Sequence, residues 1–188
     1  MMKTFKGNEK GFTLIELLIA IPIIGVVGVA AGMVIIQLVQ SNQITHRGSA
    51  IIEAQAAGDA VSQDGLQAQT VTFGDDMTDP SWSLNLSWSG DWTDNTGAYH
   101  HRVANVTYTL EALGTLYKLE RHAVITNTID GTTTTTDVTS TVGRCLDAGQ
   151  MYCQWQTGGE ITFDFKVVST VGVKTEQRTY SISPRPVG

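Results

Sequence analysis

Cysteine is scarce in this chain: two among 188 residues. A framework of several disulfides is excluded. Basic residues are also few, 12 Lys and Arg against 18 Asp and Glu, for a formal net charge of −6. A basic nucleic-acid surface is therefore not expected. Catalytic signatures are missing as well. There is no Gly-x-Ser-x-Gly nucleophile motif, no phosphate-binding glycine loop and no metalloprotease helix. The expectation is a protein that is not an enzyme and needs no cofactor. Long apolar runs are limited to one, near the N-terminus. With 41% hydrophobic residues, the chain can build one modest core and one membrane segment, but not two large domains.

That apolar run covers residues 12–36 and holds a single ionisable group, Glu16. As a helix at about 1.5 Å per residue it reaches roughly 37 Å, enough for a hydrocarbon layer about 30 Å thick. Lys3, Lys6 and Lys10 precede it. They favour a cytoplasmic start and place the following residues outside. Three readings compete. A secretory signal with Val29-Ala30-Ala31 as its cleavage site would be interrupted by Glu16 and continue past the cut. A plain bitopic anchor explains the length but not the carboxylate. An acid within a membrane segment costs about 2.5–3.5 kcal/mol and is usually functional. Cleavage between Gly11 and Phe12 would create an α-amino group near Glu16. The amine of a neighbouring subunit would pair with the carboxylate and set an axial register between packed helices.

The stretch Lys10-Gly11-Phe12-Thr13-Leu14-Ile15-Glu16-Leu17 resembles the N-terminal signal of type IV prepilins and type II secretion pseudopilins. The resemblance covers about the first 36 residues and implies residue roles. Gly11 ends a leader of residues 1–11 removed by prepilin peptidase. Phe12 becomes the N-methylated N-terminus, and Glu16 sets the assembly register. The implied partners are prepilin peptidase, other pilin or pseudopilin subunits, an inner-membrane assembly platform, and membrane lipid before assembly. The family commonly carries a helix-kinking proline where this chain has Met33. Here Pro22 lies earlier and removes the hydrogen bond to the Leu18 carbonyl, so a kink is expected there. Gly25, Gly28 and Gly32 permit close helix packing or are ordinary membrane-segment glycines.

Residues 37–69 are polar but repeat Ile44, Ile51, Ala54, Gly58, Val61 and Gly65 at helical spacing. This predicts an amphipathic continuation of the helix, ending between Gly58 and Gln69. Residues 70–188 form a head in which the period becomes two. Trp82, Leu84, Leu86 and Trp88 share one strand face, as do Ala104, Val106, Tyr108 and Leu110. Residues 90–97 supply a turn, residues 115–125 a further strand, and residues 160–169 and 173–183 a final hairpin around Gly172. The predicted class is α+β: a long N-terminal helix packed on an antiparallel sheet. The strand pair Val106-Thr107-Tyr108-Thr109-Leu110 and Gly114-Thr115-Leu116-Tyr117-Lys118 resembles minor pseudopilins of the J type. That implies a minor component.

The head offers few ligand sites by pattern. Cys145 and Cys153 read as a small disulfide loop in an oxidising compartment and as free thiols in the cytoplasm. His100 and His101 point to opposite faces of a strand, and His46 and His122 have no ligand spacing, so no metal is expected. Asp91, Asp94 and Asn95 before Gly97 faintly resemble a calcium loop with a misplaced glycine, and an ordinary turn is preferred. Asp75, Asp76 and Asp79 read as a solvated loop, and Asn85 and Asn105 stand in Asn-x-Ser/Thr contexts. The run 132–136 reads as a flexible hairpin tip or loop. Trp82 and Trp88 read as core, whereas Trp92 and Trp155 read as exposed binding candidates. The leading expectation is a single-pass membrane protein with an extracytoplasmic head, assembled into a type IV pilus or a type II secretion pseudopilus. The alternative is a membrane-anchored β-domain that binds carbohydrate or DNA.

Overall fold

The computed structural model describes residues 13–157 and 162–185. They divide into two units, one ending at Ile44 and the other beginning at Thr45. A single helix, α1 (Leu14–Gln67), runs through the boundary. Its N-terminal part, up to Ile44, has every large apolar side chain from Leu14 to Val39 exposed. It is long and apolar enough to cross a membrane, and none of its most apolar window is buried within the protein.

The second unit contains the rest of α1 and eight strands: β1 (Thr70–Phe73), β2 (Ser83–Thr93), β3 (Tyr99–Leu113), β4 (Leu116–Ile129), β5 (Thr132–Leu146), β6 (Tyr152–Trp155), β7 (Phe163–Val171) and β8 (Lys174–Ile182). Strands β1 to β5 form an antiparallel meander. The end of β5 reaches β7 through Leu146 opposite Ser169, and β7 pairs along its length with β8. Strand β6 pairs with β7 on the edge that β8 leaves free. The sheet curls until its two ends meet: Phe73 of β1 stacks on Trp155 of β6 at 5.2 Å, and both touch Phe163. The architecture is therefore α+β, as the change of period predicted.

The core follows from alternation. Leu84 and Leu86 of β2, Val106 and Tyr108 of β3, Leu119 and Ala123 of β4, and Phe163, Phe165 and Val167 of β7 are buried together. Each such large side chain contributes about 1.5–3 kcal/mol of transfer free energy. Small residues of α1 complete the layer: Ala50, Ala54, Ala57, Gly58, Val61 and Gly65 are buried. At Gly143 of β5 an added Cβ would stand 2.8 Å from the Ala57 Cβ. Helix and strand approach closely there because neither carries bulk.

Three local expectations need correction. Of the predicted helix stripe Ala54, Gly58, Val61 and Gly65 are buried, joined by Ala50 and Ala57, whereas Ile44 is 73% exposed and Ile51 only half-buried. Residues 90–93 belong to β2, and the turn begins at Asp94. The threonine run 132–136 is the start of β5, paired residue by residue with β4. Its hairpin turns at Asp130 and Gly131, both with positive φ (46° and 84°), the arrangement an Asp-Gly two-residue turn requires. Threonine, being β-branched, suits the ladder better than a loop.

Candidate assembly segment and head surfaces

The start of α1 has a definite local cause. The Thr13 backbone N–H and Oγ1 both donate to Glu16 Oε2 at 3.0 Å, and the Glu16 N–H donates back to Thr13 Oγ1 at 3.4 Å. This reciprocal pair is a capping box, which a Thr-x-x-Glu sequence specifies. Glu16 is exposed in the described chain. Thr13-Leu14-Ile15-Glu16 thus gives the carboxylate a local role beside the one expected with a neighbouring amine. Gly11 and Phe12 lie outside the described residues. Pro22 sits inside α1, which continues through it without interruption. It lines an open apolar depression with Ile23, Val26 and Val27. At Gly25, Gly28 and Gly32 an added Cβ would meet nothing within 4 Å.

In the head, the main polar feature was not foreseen. Asp64 is only 7% exposed on the buried face of α1. Tyr108 Oη donates to Asp64 Oδ2 at 2.5 Å. Arg121 donates to the same carboxylate through Nε at 2.6 Å and Nη2 at 3.1 Å. Tyr108 and Arg121 are direct partners in the β3–β4 ladder, so the two strands present phenol and guanidinium side by side. Burial pushes the Tyr108 phenol up, and the Asp64 charge adds to this. The hydrogen bond to Asp64 raises Arg121. A helical Asp five residues after Asp59 looks polar in isolation, and only the strand register identifies its partners. An isolated buried carboxylate would be costly, and here it has three donors.

Trp92 is 46% exposed near the far end of β2. Its ring stacks on His100 at 4.9 Å with an interplanar angle of 11°. His100 Nε2 is 3.1 Å from Asp94 Oδ2. Asp94 Oδ1 also accepts from the Thr96 N–H and hydroxyl and from the Ala98 N–H. The hydroxyl of Thr96 holds this carboxyl well below its ordinary range, and His100 adds to the shift. His101 pairs on the opposite face with Asp91, and His122 with Asp137 at 2.7 Å. Asp76 and Asp79 cap their own loop through Thr78 and Ser81. Among the described residues, no group of three or more His, Cys, Asp or Glu is placed to hold a metal ion.

Trp155 is separate from Trp92. It is 47% exposed, and its ring forms the aromatic seam with Phe73 and Phe163. The two tryptophans thus do not share a platform. Cys145 and Cys153 are free thiols in this structure. Leu146, next to Cys145, pairs with Ser169, whereas Cys153 pairs with Phe165 on the same edge of β7. At about 3.3 Å per residue, those partners are roughly 13 Å apart. A disulfide needs Cα atoms within about 7 Å, so the predicted loop closure is not made by this register. Burial also pushes the Cys153 thiol up.

Residues 6–32 match the family described as the prokaryotic N-terminal methylation motif. No curated protein and no solved structure compared with the chain gives a match. The chain carries the N-terminal motif typical of type IV pilins and pseudopilins. The motif implies processing by prepilin peptidase and assembly with other pilin subunits. The motif is that of pilin-type structural subunits, and among the described residues the apolar N-terminal helix accords with membrane anchoring.

Proposed function

We propose that this chain is a minor subunit of a type IV pilus or type II secretion pseudopilus. Prepilin peptidase cuts between Gly11 and Phe12, Phe12 is methylated, and the apolar part of α1 leaves the lipid to pack among other subunits. The head is carried on the extracytoplasmic side, and an inner-membrane platform drives assembly. The observation that carries this reading is the coincidence of the methylation motif over residues 6–32 with a helix whose large apolar side chains from Leu14 to Val39 are all exposed among the described residues. Such a surface needs either lipid or neighbouring helices.

Glu16 has two roles in this reading. Before assembly it caps its own helix through Thr13. During assembly the carboxylate meets the new α-amino group of Phe12 on an adjacent subunit, which fixes the axial register. Pro22 gives the apolar helix a place to bend as it packs. The minor role rests on the resemblance of the β3–β4 hairpin to J-type pseudopilins.

The test is quantitative recovery of the chain in sheared filaments, measured against the most abundant pilin-type subunit of the same cells. The reading expects the chain in the filament fraction at a small fraction of that subunit's amount. Complete retention in the membrane fraction while filaments form would reject it.

A further inference from the structure

The far ends of β2 to β5 carry a cleft of about 300 Å³, lined by Trp92, His100, Arg102, Asn127, Ile129 and Thr134 among others. That is the lower end of the range for small-ligand clefts, roughly 300–1,000 Å³. The ladder explains how these side chains meet. Trp92 is opposite His100, and His100 is opposite Ile129. One step along, Gly90 is opposite Arg102, and Arg102 is opposite Asn127, which pairs with Thr134. Positions two apart share a face, so all of them rise from one side of the sheet. Gly90 has open space where a Cβ would stand. It leaves a gap in the row between Trp88 and Trp92.

The cleft is also pre-organised. Trp92 is held by stacking on His100, His100 by Asp94, and Asp94 by Thr96 and Ala98. Arg102 is exposed, and it forms no side-chain hydrogen bond or ion pair with any described residue. A fixed aromatic face beside an unpaired guanidinium and a side-chain amide suits a ligand with a flat apolar face, hydroxyl groups and one carboxylate. Arg binds carboxylate in two-pronged fashion. A nucleic-acid strand is less well matched, because a phosphate backbone calls for a row of cations. Here the cleft lining holds one arginine.

We propose that this cleft binds one residue of an acidic saccharide, with the sugar ring on Trp92 and the carboxylate on Arg102. The site is independent of the assembly role of α1 and adds a recognition function to the head.

The test uses the full-length chain in detergent micelles and follows tryptophan fluorescence. Three probes are titrated: a galacturonate trisaccharide, a neutral galactose trisaccharide and a short oligothymidylate. The trigalacturonate should bind about tenfold or more tightly than the neutral sugar, the size expected for one charge-assisted bond. Arg102→Gln should remove that preference while keeping the neutral sugar's affinity, and Trp92→Ala should weaken both sugars. Both side chains are exposed, and an unchanged melting temperature checks that the variants fold. Equal binding of the two sugars, no binding, tighter binding of the oligothymidylate, or an Arg102→Gln variant with its preference intact would each overturn the proposal.

Discussion

Arg121 grips Asp64 with two nitrogens, Nε at 2.6 Å and Nη2 at 3.1 Å. The pair joins the middle of β4 to the last turns of α1. Because Tyr108 donates to the same carboxylate, the helix is tied to two adjacent strands at one point. The Asp64 side chain is 10% exposed and that of Arg121 is 23% exposed, so this is a part-shielded network, not a surface ion pair.

Removing one member should therefore cost more than a surface bridge does. Arg121→Ala is expected to destabilise the head by about 2–4 kcal/mol, below the full cost for a completely buried pair. Tyr108→Phe should cost about 1–3 kcal/mol. Chemical denaturation of the single and double variants checks both values. Their effects should not add, since the residues share Asp64.

Alkaline pH should loosen the same contact. The Tyr108 phenol is raised above its ordinary value of 10. Its contribution is fully present below pH 10 and is lost as the pH rises through the folded value. Each such tyrosine lowers stability by about 1.4 kcal/mol per pH unit in that window. Tyr180 is raised too, chiefly by burial. Tyr108→Phe should therefore reduce the alkaline slope without abolishing it, as measured by unfolding from pH 9 upward. An unchanged slope would contradict the assignment.

The two proposed roles of Glu16 separate by substitution. Glu16→Gln keeps an acceptor for the Thr13 cap but removes the charge. Glu16→Ala removes both. If the charge sets the register, both variants should insert in the membrane normally, and both should fall about tenfold or more in filament incorporation. If only the cap matters, Glu16→Gln should assemble like the parent chain. Cross-linking in membranes containing the other subunits reads the difference.

The cysteines should remain separate. Intact mass after denaturing alkylation without reductant should show two modified thiols. Under native conditions Cys153 should be the slower to react, because burial pushes its thiol up and the thiolate is the reactive form. A linked Cys145–Cys153 peptide in a digest would require a different β5–β6 arrangement.

The large divisions of this fold were legible in the chain because they depend on period. A continuous apolar run predicted the exposed helix, and alternation at Leu84, Leu86, Val106 and Tyr108 predicted which faces are buried. What was hidden depends on register. Asp64, Tyr108 and Arg121 are far apart in sequence, and nothing local announces that a helical carboxylate faces a phenol and a guanidinium. The Trp92 cleft has the same origin, since Arg102 and Asn127 become neighbours only through the β3–β4 ladder. The disulfide expectation is not met by this register, for the opposite reason. Short sequence separation suggested proximity, while the crossing to β7 carries the two strands to different heights. The Thr13–Glu16 cap is fully local, since Thr-x-x-Glu ahead of an apolar run is enough to specify it.

The most direct measurement is the intact mass and N-terminal sequence of the protein from its native membrane. The account predicts a chain that begins at Phe12 and carries one added methyl group on its amine. A chain that begins at Met1, recovered from cells with active prepilin peptidase, would contradict it.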